Sequence, residues 1–120
     1  MPGSYYETLA EDLSREIAGI ESKLEELQVS YKQVGRDEDE ALDNLWRERK
    51  SAERIYECWS GSQAERFVGY LTDECNRHAK KVRYMADAMR DEYKVEMNKL
   101  KHKRYEAQEE LKRIRRKEAD

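Results

Sequence analysis

Two stretches of about 50 residues carry apolar side chains spaced alternately three and four apart, and one tripeptide, Trp59-Ser60-Gly61, stands between them. Spacing of this kind, sustained over many turns, calls for amphipathic helices packed along a narrow seam. The first stripe runs Tyr6, Ala10, Leu13, Ile17, Ile20, Leu24, Leu27, Tyr31 and Val34, then Ala41, Leu45, Ala52, Ile55 and Trp59, with Glu38 and Glu48 as polar gaps. The second runs Ala64, Phe67, Val68, Leu71, Cys75, His78, Val82, Met85, Met89, Tyr93, Met97, Leu100, Arg104, Ala107, Leu111 and Ile114. Its four-residue steps from Met85 to Met97 are a stutter that straightens the seam locally.

Gly61 tolerates the positive φ that closes a helix, and Ser62 with Glu65 three residues on has the capping-box pattern that opens another. We therefore expect an all-α fold, an elongated antiparallel hairpin of two long coiled-coil helices forming a single domain over residues 1–120. Helix one spans about 5–58, the turn 59–61 and helix two about 62–117. Gly35, followed by Arg36 and the acidic run Asp37-Glu38-Asp39-Glu40, predicts a kink or short break near 35–39.

Charged residues make up 42% of the chain and apolar ones 38%, with a mean hydropathy of -1.19, which fits solvated helices sharing a thin seam. Two helices bury little, so a partner helix or a homodimer is expected to complete the core. No segment is apolar enough to span a membrane and the N-terminus lacks a basic region followed by an apolar run, so we expect no cleaved signal peptide and a chain that is cytoplasmic or leaves the cell only with a partner. Residues 1–58 hold eight basic against fifteen acidic side chains, and residues 59–120 hold sixteen against twelve. An antiparallel fold lays the acidic first third beside the basic end, favouring one orientation and register. Cys75 would then lie opposite about residue 45, roughly 20 Å from Cys58, which predicts two separate buried thiols rather than a disulfide.

Several function classes find little support. Cys75 and His78 share a helical face, but His102 lies roughly 36 Å further along and no second Cys/His pair exists to complete a metal site. Residues 99–117 hold nine basic and three acidic side chains, yet the periodic Leu100, Ala107, Leu111 and Ile114 demand packing, so no nucleic-acid partner is expected. There is no Gly-rich phosphate loop and no nucleophile with a plausible base, so we expect neither an enzyme nor a cofactor. Trp46, beside the stripe residue Leu45, reads as a flanking core residue or a partner-facing anchor.

Trp59-x-Gly61 between two helices of similar length resembles the W-x-G superfamily of helical hairpins associated with bacterial type VII (Esx-type) secretion. Tyr105 with Glu109 matches that superfamily's Tyr-x-x-x-Asp/Glu secretion signal, and Tyr70 with Glu74 matches it nearer the turn. The long charged helices, with Ala64 and Phe67 just after the turn, look most like the YwqH-like partners of LXG toxins in Gram-positive bacteria. That resemblance implies a targeting factor or chaperone that binds the toxin's helical N-terminal domain, alongside a second small W-x-G-like protein, and promotes its export, staying in the cytoplasm or leaving with its partner through type VII secretion. It makes Trp59 and Gly61 the targeting motif. We expect Phe67, Leu71, Met85, Met89, Tyr93, Met97 and Leu100 to form the partner-binding seam, because Met-rich surfaces adapt to a docked helix. A homo-oligomeric coiled coil with no secretion role is the alternative.

Overall fold

The computed structural model describes residues 2–59 and 61–120, and their side chains except those of residues 2–4 and 56. It is an all-α helical hairpin of α1 (Pro2–Cys58, 57 residues) and α2 (Ser62–Ala119, 58 residues), with no strand among the described residues. Pro2 suits the first turn of α1, where its missing N–H has no helical acceptor to lose. At the other end the Trp59 N–H still donates to the Ile55 carbonyl at 2.8 Å, so the helical ladder reaches the turn. Gly61 then takes φ +122°, a left-handed conformation that costs glycine little. Ser60 of the expected turn lies outside the described residues.

The Gly61 carbonyl accepts the Glu65 N–H at 3.0 Å, the first bond of α2, which makes Gly61 rather than Ser62 the N-cap. The reversal ends so abruptly that the turn glycine also serves as the cap, and Ser62 is already helical. The break expected near 35–39 is likewise absent, because α1 runs unbroken through it. Gly35 sits beside the buried Val34, and the acidic run is relieved by two partners: Asp37 accepts from Gln33 at 2.8 Å and Glu38 pairs with Arg90 of α2. A helix propensity cost of about 1 kcal/mol for one glycine is small against tertiary packing.

Contacts group the chain into two compact units along the hairpin. In a two-helix hairpin a residue touches only the stretch directly across from it, so contacts stay local along the seam. The terminal unit comprises Met1–Tyr31 and Glu92–Asp120, and the turn unit Lys32–Asp91. In the terminal unit the buried row is Ile20, Leu24 and Leu27 from α1 with Ala107, Leu111 and Ile114 from α2. The Lys94 ammonium stands 5.9 Å from the Tyr31 ring centroid, a cation–π contact joining the two helices. Acidic and basic stretches do share this unit, but its described ion pairs lie within single helices, such as Glu11–Arg15 and Glu109–Lys112. Long, exposed side chains reach a neighbour one turn away more readily than one across the seam.

In the turn unit, Glu38 meets Arg90, Glu48 meets Cys75 and Trp59 meets Phe67, contacts that run antiparallel along the two helices. Cys75 meets Glu48 and also lines a groove with Leu45, within one turn of the expected level. Side chains lean toward the N-terminus of their own helix, which advances each contact by about one residue per helix. The buried row here is small: Val34, Ala52, Ala64, Cys75 and Ala86. Both cysteines are free, Cys75 buried and Cys58 exposed; Cys58 ends α1 outside the apolar stripe, which is why it is not the second buried thiol the sequence suggested.

Candidate functional site

The two units bury different things. The terminal unit buries mostly Leu and Ile and exposes Tyr5, Val29, Val95 and Tyr105, whereas the turn unit buries mostly Ala and exposes more large apolar side chains: Trp46, Trp59, Phe67, Tyr70, Tyr84, Met85 and Met89. Exposed apolar surface gathered in one region marks an interaction site. The turn unit carries more of that surface than the terminal unit.

At the tip, Trp59 and Phe67 pack tilted at 53° with ring centroids 6.3 Å apart, and remain 46% and 42% exposed. The pair is a stable aromatic platform that still offers about half its surface. A Cβ added at Gly61 would meet no atom within 4 Å, so the glycine answers to backbone conformation and not to crowding.

Met85 and Met89 lie beside the seam rather than in it. The buried α2 row passes through Cys75, Ala86 and the half-buried Val82, and the position after Ala86 belongs to Arg90. Arg90 reaches both oxygens of Glu38, at 3.2 and 3.3 Å, and Asp87 at 2.6 Å. Hydrogen bonds that it donates to Glu38 and Asp87 push the Arg90 guanidinium further up, so it is charged at every working pH. The polar gap at Glu38 thus has its complement in α2, and a charge-assisted pair replaces an apolar layer. The two methionines are displaced by Arg90: Met85 and Val82 line an open groove of about 350 Å³ beside Ala41 and His78, and both methionines line one of about 180 Å³ beside Val34 and Ala86.

On the opposite flank, Leu42, Trp46 and Arg49 face Ala79, Lys80 and Arg83 across a third groove of about 330 Å³, with Leu45 and Cys75 also in its lining. Trp46 is 57% exposed and the Arg49 guanidinium covers its ring at 5.4 Å. Sequence reading placed Trp46 beside the core but missed this groove. The signal was present in the i, i+4, i+7 spacing of Leu42, Trp46 and Arg49.

The remaining expected residues are dispersed. Leu71 is half-buried in the turn unit, and Tyr93, Met97 and Leu100 are half-buried in the terminal unit. Tyr105 is exposed, while Glu109 one turn later pairs with Lys112 at 3.3 Å. Tyr70 is exposed, but Glu74 is held by Arg77 at 2.8 Å and lies 3.6 Å from His78. The Cys75 sulfur is 3.9 Å from a Glu48 carboxylate oxygen, and burial, reinforced by that carboxylate, pushes its thiol above the ordinary 9.0. Such a thiol is a poor nucleophile at neutral pH. Among the described residues no three His, Cys, Asp or Glu side chains converge as metal ligands, and no helix is long and apolar enough to cross a membrane. No family model matches the chain, and neither the curated proteins nor the solved structures contain a significant match to it.

Proposed function

We propose that this chain is an accessory targeting factor or chaperone of a type VII secretion system, which binds the helical N-terminal domain of an LXG-type toxin and promotes its export. The observation that carries the reading is the hairpin turn itself: Trp59 is half exposed and Gly61 sits at φ +122° between helices of 57 and 58 residues. That is where the W-x-G resemblance puts its defining tripeptide. The Met85 and Met89 flank supplies a soft apolar surface for a partner helix, read by side chains at i, i+3, i+4 and i+7.

On this reading the chain works in the cytoplasm of a Gram-positive bacterium, without catalysis and without a cofactor. A second small W-x-G-like protein joins the complex, and Tyr105 with Glu109 serves as the secretion signal. The test is co-expression with an LXG protein encoded beside it. Co-purification that is lost in Met85→Ser/Met89→Ser supports the proposal, and failure to co-purify with any such neighbour removes its mechanism. Light scattering gives the alternative its chance, since a tight homodimer or four-helix bundle covering both methionines would leave no surface for a toxin.

A further inference from the structure

We infer that the Trp46 groove of the turn unit is a second docking face, built for an acidic amphipathic helix. It lies on the flank opposite Met85 and Met89, and Leu45 lies at the floor of the grooves on both sides. Its chemistry differs from theirs. Leu42, Trp46 and Ala79 form an apolar strip, and Arg49, Lys80 and Arg83 stand along it, with no Asp or Glu in the lining.

Two of those cations are uncommitted. Arg49 is spent on the Trp46 ring, while Lys80 and Arg83 have no ion pair among the described residues, unlike Arg77 and Arg90 on the same helix. Exposed cations one helical turn apart gain from a carboxylate partner and repel a second copy of themselves. Two copies related by a two-fold axis through this groove would bring Lys80 and Arg83 against the same residues, so self-pairing of this face is disfavoured by like charge. A partner helix with apolar side chains at i, i+3, i+4 and i+7, flanked by Glu or Asp, satisfies both the strip and the cations. Trp46 is the anchor: an aromatic 57% exposed, held in place by Arg49 and bordered by a groove. The inference names a partner chemistry and stands apart from the secretion reading.

The test titrates the full chain with two labelled peptides of roughly six helical turns that share one apolar stripe and differ only in flanking Glu or flanking Lys. The Glu peptide should bind saturably and weaken as salt rises, while the Lys peptide should not bind. Lys80→Glu/Arg83→Glu should weaken the Glu peptide by about ten-fold or more and admit the Lys peptide. Lys80→Gln/Arg83→Gln, a milder change at exposed positions, should give the same loss with unchanged helix content. Trp46→Ala should weaken binding, and Met85→Ser/Met89→Ser should leave it intact. Equal binding of both peptides, absence of saturable binding, or loss through the methionines instead would overturn the proposal. So would sedimentation showing a dimer that Trp46→Ala dissolves, because the occupant would then be a second copy. Failure of LXG co-purification leaves these outcomes untouched, so the two readings fail separately.

Discussion

Gly61 holds φ +122° in open space, which isolates backbone strain from steric clash. Gly61→Ala should therefore destabilise the hairpin by roughly 1–2 kcal/mol, measured by chemical denaturation, with no change in the folded spectrum. No loss of stability would mean that the turn relaxes freely. The two thiols separate equally cleanly. Cys58 should react with iodoacetamide at the rate of an exposed thiol, whereas Cys75, buried beside Glu48, should react only when the turn unit opens. Cys75 also sets a pH dependence with a definite sign. The unfolded chain gives up this proton near pH 9, while the folded thiol, pushed above 9.0, keeps it. Above that pH the folded state binds more protons, so stability falls as pH rises. Between about pH 8 and 10 the native chain should lose stability faster than Cys75→Ala, and parallel curves would contradict the assignment.

At the scale of the helices, the seam was legible where one apolar row stood alone. Ile20, Leu24, Leu27 and Val34 in α1, and Ala107, Leu111 and Ile114 in α2, repeat at three and four and are buried. Leu24→Ala should accordingly cost about 2–3 kcal/mol, while Val29→Ala, at an exposed position, should cost almost nothing. The stripe became ambiguous between residues 82 and 93, where two rows compete: Met85 with Met89, and Ala86 with Arg90. Hydropathy selects the methionines. The fold selects Ala86 and Arg90, because Arg90 lays its aliphatic stem in the seam and ends on Glu38, a pairing across helices that hydropathy reads as two polar gaps. The unbroken stretch at 35–39 was hidden in part for the same reason, since Glu38 is satisfied by Arg90, 52 residues along the chain, while Asp37 takes Gln33 one turn earlier. A double-mutant cycle on Glu38 and Arg90 should show strong coupling, each single change destabilising and the pair less than additive. Additive losses would deny the pair its role in fixing register.

On the scale of the whole molecule, the two compact units differ in what they bury. Amides around Leu24, Leu27, Leu111 and Ile114 should exchange more slowly than those of the turn unit, whose buried row is mostly small side chains; uniform exchange would contradict that difference. The acidic and basic halves of the sequence made an antiparallel hairpin legible, although the charges found partners mainly on their own helices. The tip was legible as a turn from Trp59 and Gly61 alone. What those two residues present to another molecule depends on exposure, which no spacing reveals, and so does the Trp46 groove. The functional account rests on Trp59 acting outward while the helices hold without it. Its most direct test is a secretion assay of the LXG partner in cells carrying Trp59→Ala, read beside circular dichroism of the purified variant. The account predicts that helix content persists and export of the partner is lost. Undiminished export, or wholesale unfolding of the variant, would contradict it.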